Sequence, residues 1–181
     1  MTAKRVGVFI DGGYIDHMNR HGFAGMADYP KLIQLVTKDA GDLAFAGYYD
    51  CMPYQTQTPT DDEKSRYSRK RKLIQHLEKL PKMTVRLGKM QMRKGVGPVQ
   101  KRVDVLLALD AARAAWKNEI DTLILIAGDS DFVPVLEEVK SRGVKTVLYY
   151  YRPAFNNDLI RSASESHEIT RDVWEEVVRY Q

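Results

Sequence analysis

Short apolar runs alternate along the chain with stretches of helical period. Val6-Gly7-Val8-Phe9-Ile10 is apolar without alternation, which predicts a strand buried on both faces. Leu32, Ile33, Leu35 and Val36 mark a helix with Pro30 near its start. Leu43 to Tyr49 reads as a second strand, and residues 53–62, which lack large aliphatics, as a loop. A helix is predicted from Asp62 to Leu80, closed by Pro81, followed by a short strand from Thr84 to Leu87. Residues 88–100 are rich in Gly, Met and Lys and read as a basic excursion or hairpin. Val103 to Trp116 predicts a helix apolar almost all round and therefore deeply buried. Thr122 to Ala127 is the strongest strand, and Phe132, Val135, Leu136 and Val139 follow as a helix ended by Gly143. Val144 to Tyr150 is another strand, with helices expected near 156–163 and 171–179. Strands separated by helices predict an α/β fold with a mainly parallel central sheet. No repeat or linker divides the sequence, so residues 1–181 are expected to form one domain, with a basic helix and excursion at 61–102.

Composition narrows the chemistry. A single cysteine, Cys51, cannot form an internal disulfide or supply a Cys-rich zinc site. His17 and His21 stand at i, i+4, but no third metal ligand lies beside them in sequence. Only five mostly apolar residues precede Asp11, too few for a signal-peptide core. No apolar run approaches the ~20 residues of a membrane span, so the expected setting is a reducing cytoplasm without membrane contact.

The net charge of +4 hides an asymmetry. Residues 61–102 carry fourteen Lys and Arg against four acids, a net of +10, which leaves −6 on the other 139 residues. Such a segment is either a solvated basic helix or the footprint of a polyanion partner. Arg69, Lys70, Arg71, Lys72, Arg93, Lys94, Lys101 and Arg102 are the candidate phosphate contacts.

The acids then acquire meaning from position. Open α/β sheets place ligands beyond the carboxyl ends of their strands. Asp11 follows the first strand, and Asp129 and Asp131 follow the strand ending at Ala127, so three acids are expected on one sheet edge. Gly12, Gly13 and Gly128 let the backbone turn there. Each acid also has a reading as a helix cap: Asp11 for its own following helix, and Asp131 for the helix with Pro134 in its first turn. Asp104 sits in the first turn of the helix from Val103, where the dipole favours a carboxylate. Asp110 lies on an apolar face of that helix and needs a partner or a metal, Arg113 being the nearest in sequence. Massed carboxylates repel one another, and hard divalent cations such as Mg²⁺ or Mn²⁺ relieve that conflict. An acidic metal site beside a basic segment points to phosphodiester chemistry on a nucleic acid.

With these residues assembled, the sequence resembles the NYN domains, in particular the LabA-like branch of the PIN-like nuclease superfamily. The resemblance rests on Phe9-Ile10-Asp11-Gly12-Gly13-Tyr14 and on Lys101-Arg102-Val103-Asp104-Val105, with Asp110 beyond it. It extends through Leu125-Ile126-Ala127-Gly128-Asp129-Ser130-Asp131-Phe132-Val133-Pro134 and Gly143-Val144-Lys145-Thr146-Val147. It implies a three-layer α/β/α sandwich and an Mg²⁺- or Mn²⁺-dependent endoribonuclease acting on RNA, single-stranded by preference, through a metal-activated water. Asp11, Asp104, Asp129 and Asp131 would surround one or two ions, Ser130 would support that shell, and Lys101 would meet a phosphate. Tyr14 stands where many NYN domains have Asn, and LabA-like members often carry Tyr there. A terminal acid common in the family has no clean counterpart around Asp158 or Glu165.

Rival motifs are absent. A haloacid dehalogenase phosphatase would need a second Asp at Gly13. There is no phosphate-binding Gly-x-x-x-x-Gly-Lys-Ser/Thr loop and no Gly-x-Ser-x-Gly elbow. The alternative from another class is a non-catalytic RNA-binding or regulatory module, with the acids as caps and Tyr48, Tyr49, Tyr54, Tyr67 and Tyr149 to Tyr151 either stacking on unpaired bases or packing in the sheet and core. The helix bearing Trp174 reads either as the last core helix or as a homodimer surface.

Overall fold

The computed structural model describes residues 4–23, 25–93 and 95–179. The chain begins with β1 (Arg5–Asp11), α1 (Gly12–His21), β2 (Met26–Ala27), α2 (Tyr29–Thr37) and β3 (Asp42–Asp50). The basic half contains α3 (Asp61–Leu77), β4 (Met83–Leu87), and a hairpin of β5 (Lys89–Arg93) and β6 (Gly97–Lys101). α4 (Val103–Trp116), β7 (Thr122–Ile126), a 3₁₀ turn at Ser130–Phe132, α5 (Val133–Ser141) and β8 (Lys145–Tyr150) follow. The chain closes with α6 (Asn157–Ser162), β9 (Glu165–Glu168), α7 (Arg171–Val177) and β10 (Val178–Arg179).

Six strands form one sheet in the order β4-β3-β1-β7-β8-β9, and every neighbouring pair is parallel. The chain builds outward from β1 through β3 to β4, then returns to the other side of β1 for β7, β8 and β9. The direction of building reverses between β1 and β7, which opens a crevice at their carboxyl ends.

The unbroken apolar runs of β1 and β7 are explained by two cores. Val6, Val8, Ile10, Ile124 and Ile126 face one layer, where α1, α2 and α7 contribute Ile15, Met18, Leu32 and Trp174. Phe9, Leu123 and Leu125 face the other, against Leu107, Ala111, Leu136 and Leu159 of α4, α5 and α6. Alternate residues of each strand therefore enter different cores. Each fully buried Ile or Leu contributes about 1.5–3 kcal/mol from its removal from water.

Four elements differ from expectation. α4 is not buried all round: Val105, Leu109 and Trp116 are 59%, 55% and 57% exposed, because the helix covers the sheet from one side and no described residue covers its outer stripe. Trp116 is partly satisfied there by Arg142, whose guanidinium lies 3.9 Å from the ring centroid, and by a bond from Nε1 to Glu138. β9, which carries Glu165, Ser166, His167 and Glu168, has no apolar signature because it is a polar edge strand. The β2–β10 pair is too short to leave a periodic trace. Trp174 is 1% exposed, which makes α7 a core helix. No helix among the described residues is long and apolar enough to cross a membrane.

Candidate active site

Asp11 is the last residue of β1 and the N-cap of α1, its side chain accepting a bond from the Tyr14 amide at 3.1 Å. Its capping reading is therefore correct, and it does not exclude another role. Across the β1–β7 crevice, Gly128 and Asp129 continue directly from the carboxyl end of β7. Asp129, not Asp131, does the capping at this turn: it accepts from the Asp131 amide at 3.0 Å, while α5 starts after Phe132 without a side-chain cap. Asp131 is exposed and free of that duty. Ser130 Oγ donates toward Asp129 at 3.5 Å, the long limit of a hydrogen bond.

Asp104 lies in the first turn of α4, behind Arg102, whose left-handed backbone (φ 75°) turns the chain out of β6 into the helix. The three positions converge electrostatically. Burial pushes the Asp11 carboxyl up to about 7, with repulsion from Asp104 and Asp50 adding to the rise. Asp104 is also raised, by burial first and then by Asp129 and Asp131. Asp11 thus feels Asp104, and Asp104 in turn feels the Asp129–Asp131 pair.

Among the described residues no three His, Cys, Asp or Glu side chains come close enough to hold an ion by themselves. The donor chemistry nonetheless fits Mg²⁺ or Mn²⁺, since Mg²⁺ is commonly held by one or two carboxylates with waters and substrate phosphate completing the shell. The repulsion that Asp104 exerts on Asp11, and that Asp129 and Asp131 exert on Asp104, is the conflict such a cation relieves.

Tyr14 is engaged with the turn after β8. Its hydroxyl donates to the Ala154 carbonyl and accepts from the Tyr151 amide, each at 2.7 Å, and burial pushes its pKa up to about 12. Both hydrogen-bonding directions are occupied, so it braces the site instead of supplying a ligand. Gly12 and Gly128 are required by close packing. A Cβ on Gly12 would lie 2.5 Å from the Tyr48 hydroxyl, and one on Gly128 2.4 Å from the Ala154 carbonyl oxygen.

Asp110 belongs elsewhere. It accepts from Tyr49 and Arg113, each at 3.2 Å, and lies 3.7 Å from Arg86. It is a partnered carboxylate between α4 and the β3–β4 edge, not a supporter of the outer acids.

The basic candidates divide. Arg69, Arg71 and Lys72 are exposed on α3, and Arg93, Lys101 and Arg102 on or beside the hairpin. Lys89, Met90, Gln91, Lys101 and Arg102 line a cleft of about 530 Å³. The hairpin reaches the acids, since the Gln100 amide and Asp11 Oδ1 both lie within 3.6 Å of where a Gly13 Cβ would stand. Lys94 lies outside the described residues. Lys70 is a correction: it is 8% exposed and bonded to Asp16 and Asp50, so it is not available to a phosphate. Its α3 position places it in register with buried Ile74 and Leu77, at i+4 and i+7.

Asp50 and Asp16 were not singled out from the sequence. Asp50 ends β3 beside β1, so the strand-end criterion that found Asp11 applies to it equally.

A profile of the NYN domain matches residues 5–170. The chain belongs to the NYN domain family. This NYN chain is therefore related to the PIN-like nucleases, a group generally dependent on divalent metals. A crystal structure of a protein of unknown function from Vibrio parahaemolyticus superimposes with a TM-score of 0.72 at 18% identity, covering 98% of this chain and 97% of that one. That likeness extends the fold across nearly the whole chain. An uncharacterized protein of Methanocaldococcus jannaschii is 35% identical over 57 residues, 32% of this NYN chain and 24% of that relative.

Proposed function

We propose that this NYN protein is a metal-dependent ribonuclease that hydrolyses phosphodiester bonds of single-stranded RNA by endonucleolytic cleavage. The observation that carries the reading is the placing of Asp11 and Asp129 after the carboxyl ends of the adjacent strands β1 and β7, with Asp104 close enough to raise Asp11 and itself raised by Asp129 and Asp131. A structure without need of a cation has no reason to concentrate that repulsion at a topological switch point. Asp11, Asp104, Asp129 and Asp131 would hold Mg²⁺ or Mn²⁺, with Ser130 orienting Asp129. The ion, when bound, supplies charge neutralisation and a water of lowered pKa. Lys101 and Arg102 would hold phosphates beside the acids, and Arg69, Arg71, Lys72 and Arg93 would extend the electrostatic track.

The test compares wild type with Asp11→Asn and Asp129→Asn on labelled single-stranded RNA in Mn²⁺, Mg²⁺ or EDTA. Cleavage by wild type with divalent metal, lost in both variants, is expected. Equal cleavage by all three would identify a contaminant.

A second reading, a non-catalytic RNA-binding module, is favoured by one observation: Asp11 and Asp129 both serve as caps, accepting from the Tyr14 and Asp131 amides. Undiminished RNA binding without cleavage in any metal would select it. A cytoplasmic location accords with either reading.

A further inference from the structure

Lys70 behaves unlike its basic neighbours in α3. Its Nζ donates to Asp50 Oδ2 at 2.5 Å, Asp16 Oδ2 at 2.6 Å and the Tyr48 hydroxyl at 3.2 Å. Tyr48 in turn donates to Asp50 Oδ2 at 2.6 Å, and the Cys51 amide to Asp50 Oδ1 at 2.7 Å. The cluster presses on Gly12, where a Cβ would stand 2.6 Å from Asp50 Oδ2. Three elements, α1, β3 and α3, thus meet on one ammonium directly under the residue that follows Asp11.

A buried ion pair is weak support for stability, because desolvation offsets most of the attraction. The arrangement has a different character. A compact cation is surrounded by two carboxylates and a phenol, an all-oxygen shell of the kind that suits a hard metal ion. Here the cation is covalently part of the chain.

We propose that Lys70 is a positioning residue, a built-in cation that holds Asp50 and Asp16 beneath Gly12 in the place a second divalent ion would take. Asp50, though a strand-end acid beside Asp11, is thereby occupied internally. If the metal reading above holds, which this consequence rests on, the outer acids take one divalent ion.

The experiment uses the full chain with Lys70→Ala, which removes the equivalent of n-propylammonium. Thermal unfolding is followed in EDTA, Mn²⁺, n-propylammonium or 1-propanol, and Mn²⁺ stoichiometry is measured by calorimetric titration. Lys70→Ala should melt lower than wild type in EDTA and recover with Mn²⁺ or n-propylammonium, but not with neutral 1-propanol. It should bind one Mn²⁺ more than wild type, and the added Asp50→Asn change should abolish that extra site. A purely packing role predicts no preference for cations, and the absence of rescue and of the extra Mn²⁺ overturns the proposal. Should Lys70→Ala fail to fold, Asp50→Asn alone serves: unchanged Mn²⁺ stoichiometry is expected, and loss of an ion overturns it. Wild type binding no Mn²⁺ while Lys70→Ala binds one would end the metal reading of the outer acids and leave the Lys70 assignment standing.

Discussion

The Tyr14 hydroxyl donates to the Ala154 carbonyl at 2.7 Å, tying the start of α1 to the turn that follows β8. Ala154 in turn lies against Gly128, one residue before Asp129. One side chain from the Asp11 side of the crevice therefore sets the backbone on the Asp129 side.

Tyr14→Phe tests this brace. It leaves the ring in place but strands the Tyr151 amide and the Ala154 carbonyl, which costs about 1–3 kcal/mol when such groups stay buried. A lower denaturant midpoint with unchanged m-value is expected, together with reduced cleavage. Wild-type stability in Tyr14→Phe would show that water replaces the hydroxyl without loss.

Gly128→Ala should be at least as damaging. The new methyl would stand 2.4 Å from both the Ala154 oxygen and a Tyr14 ring carbon, and backbone cannot yield as a flexible side chain can. A loss of about 1–3 kcal/mol is expected from such overpacking. Equilibrium urea unfolding measures it.

Asp11 makes stability depend on pH. Its folded pKa, about 7, lies above the ordinary value of 3.8, so the folded state holds the extra proton between those values. Without metal, stability attributable to this carboxyl is full below about pH 4 and is lost as pH rises through about 7. Asp11→Asn, which cannot ionise, should be more stable than wild type at pH 8 in EDTA, by up to about 4 kcal/mol, and the gap should close toward pH 4. Melting curves at several pH values decide it; a constant difference would remove Asp11 as the source. In wild type, cleavage at fixed low Mn²⁺ should decline below about pH 7, because protons and metal compete for the same carboxylate.

Replacing Arg69, Arg71 and Lys72 with Gln should weaken RNA binding at low salt and flatten its dependence on salt. For a single strand, every phosphate no longer neutralised by the protein reduces the log–log slope by about 0.7. Lys70 is left out of this set because its ammonium is inside the protein. Filter binding between low and moderate salt gives the slope, and an unchanged value would assign phosphate binding to the hairpin cations alone.

Much of this protein was readable from residue order. The doubly apolar strands Val6–Ile10 and Thr122–Ala127, their helical separators and the glycines at Gly12 and Gly128 are local consequences of side-chain chemistry and backbone freedom. Strand-end position alone brought Asp11 and Asp129 to one edge. What pattern could not decide is which neighbour each polar side chain meets. Periodicity makes α4 look buried throughout, but the layers packed above a helix determine its exposure, and Val105 and Leu109 lie open among the described residues. Charge counting grouped Lys70 with Arg69 and Arg71, although one helical step separates solvent from the Asp16–Asp50 pocket. Tyr14, Asp50 and Asp110 likewise acquired their roles from partners 137, 20 and 61 residues away. Composition and period act locally and are carried by the sequence itself. Ion pairing and burial depend on groups distant along the chain, and only the folded arrangement of strands brings those groups together.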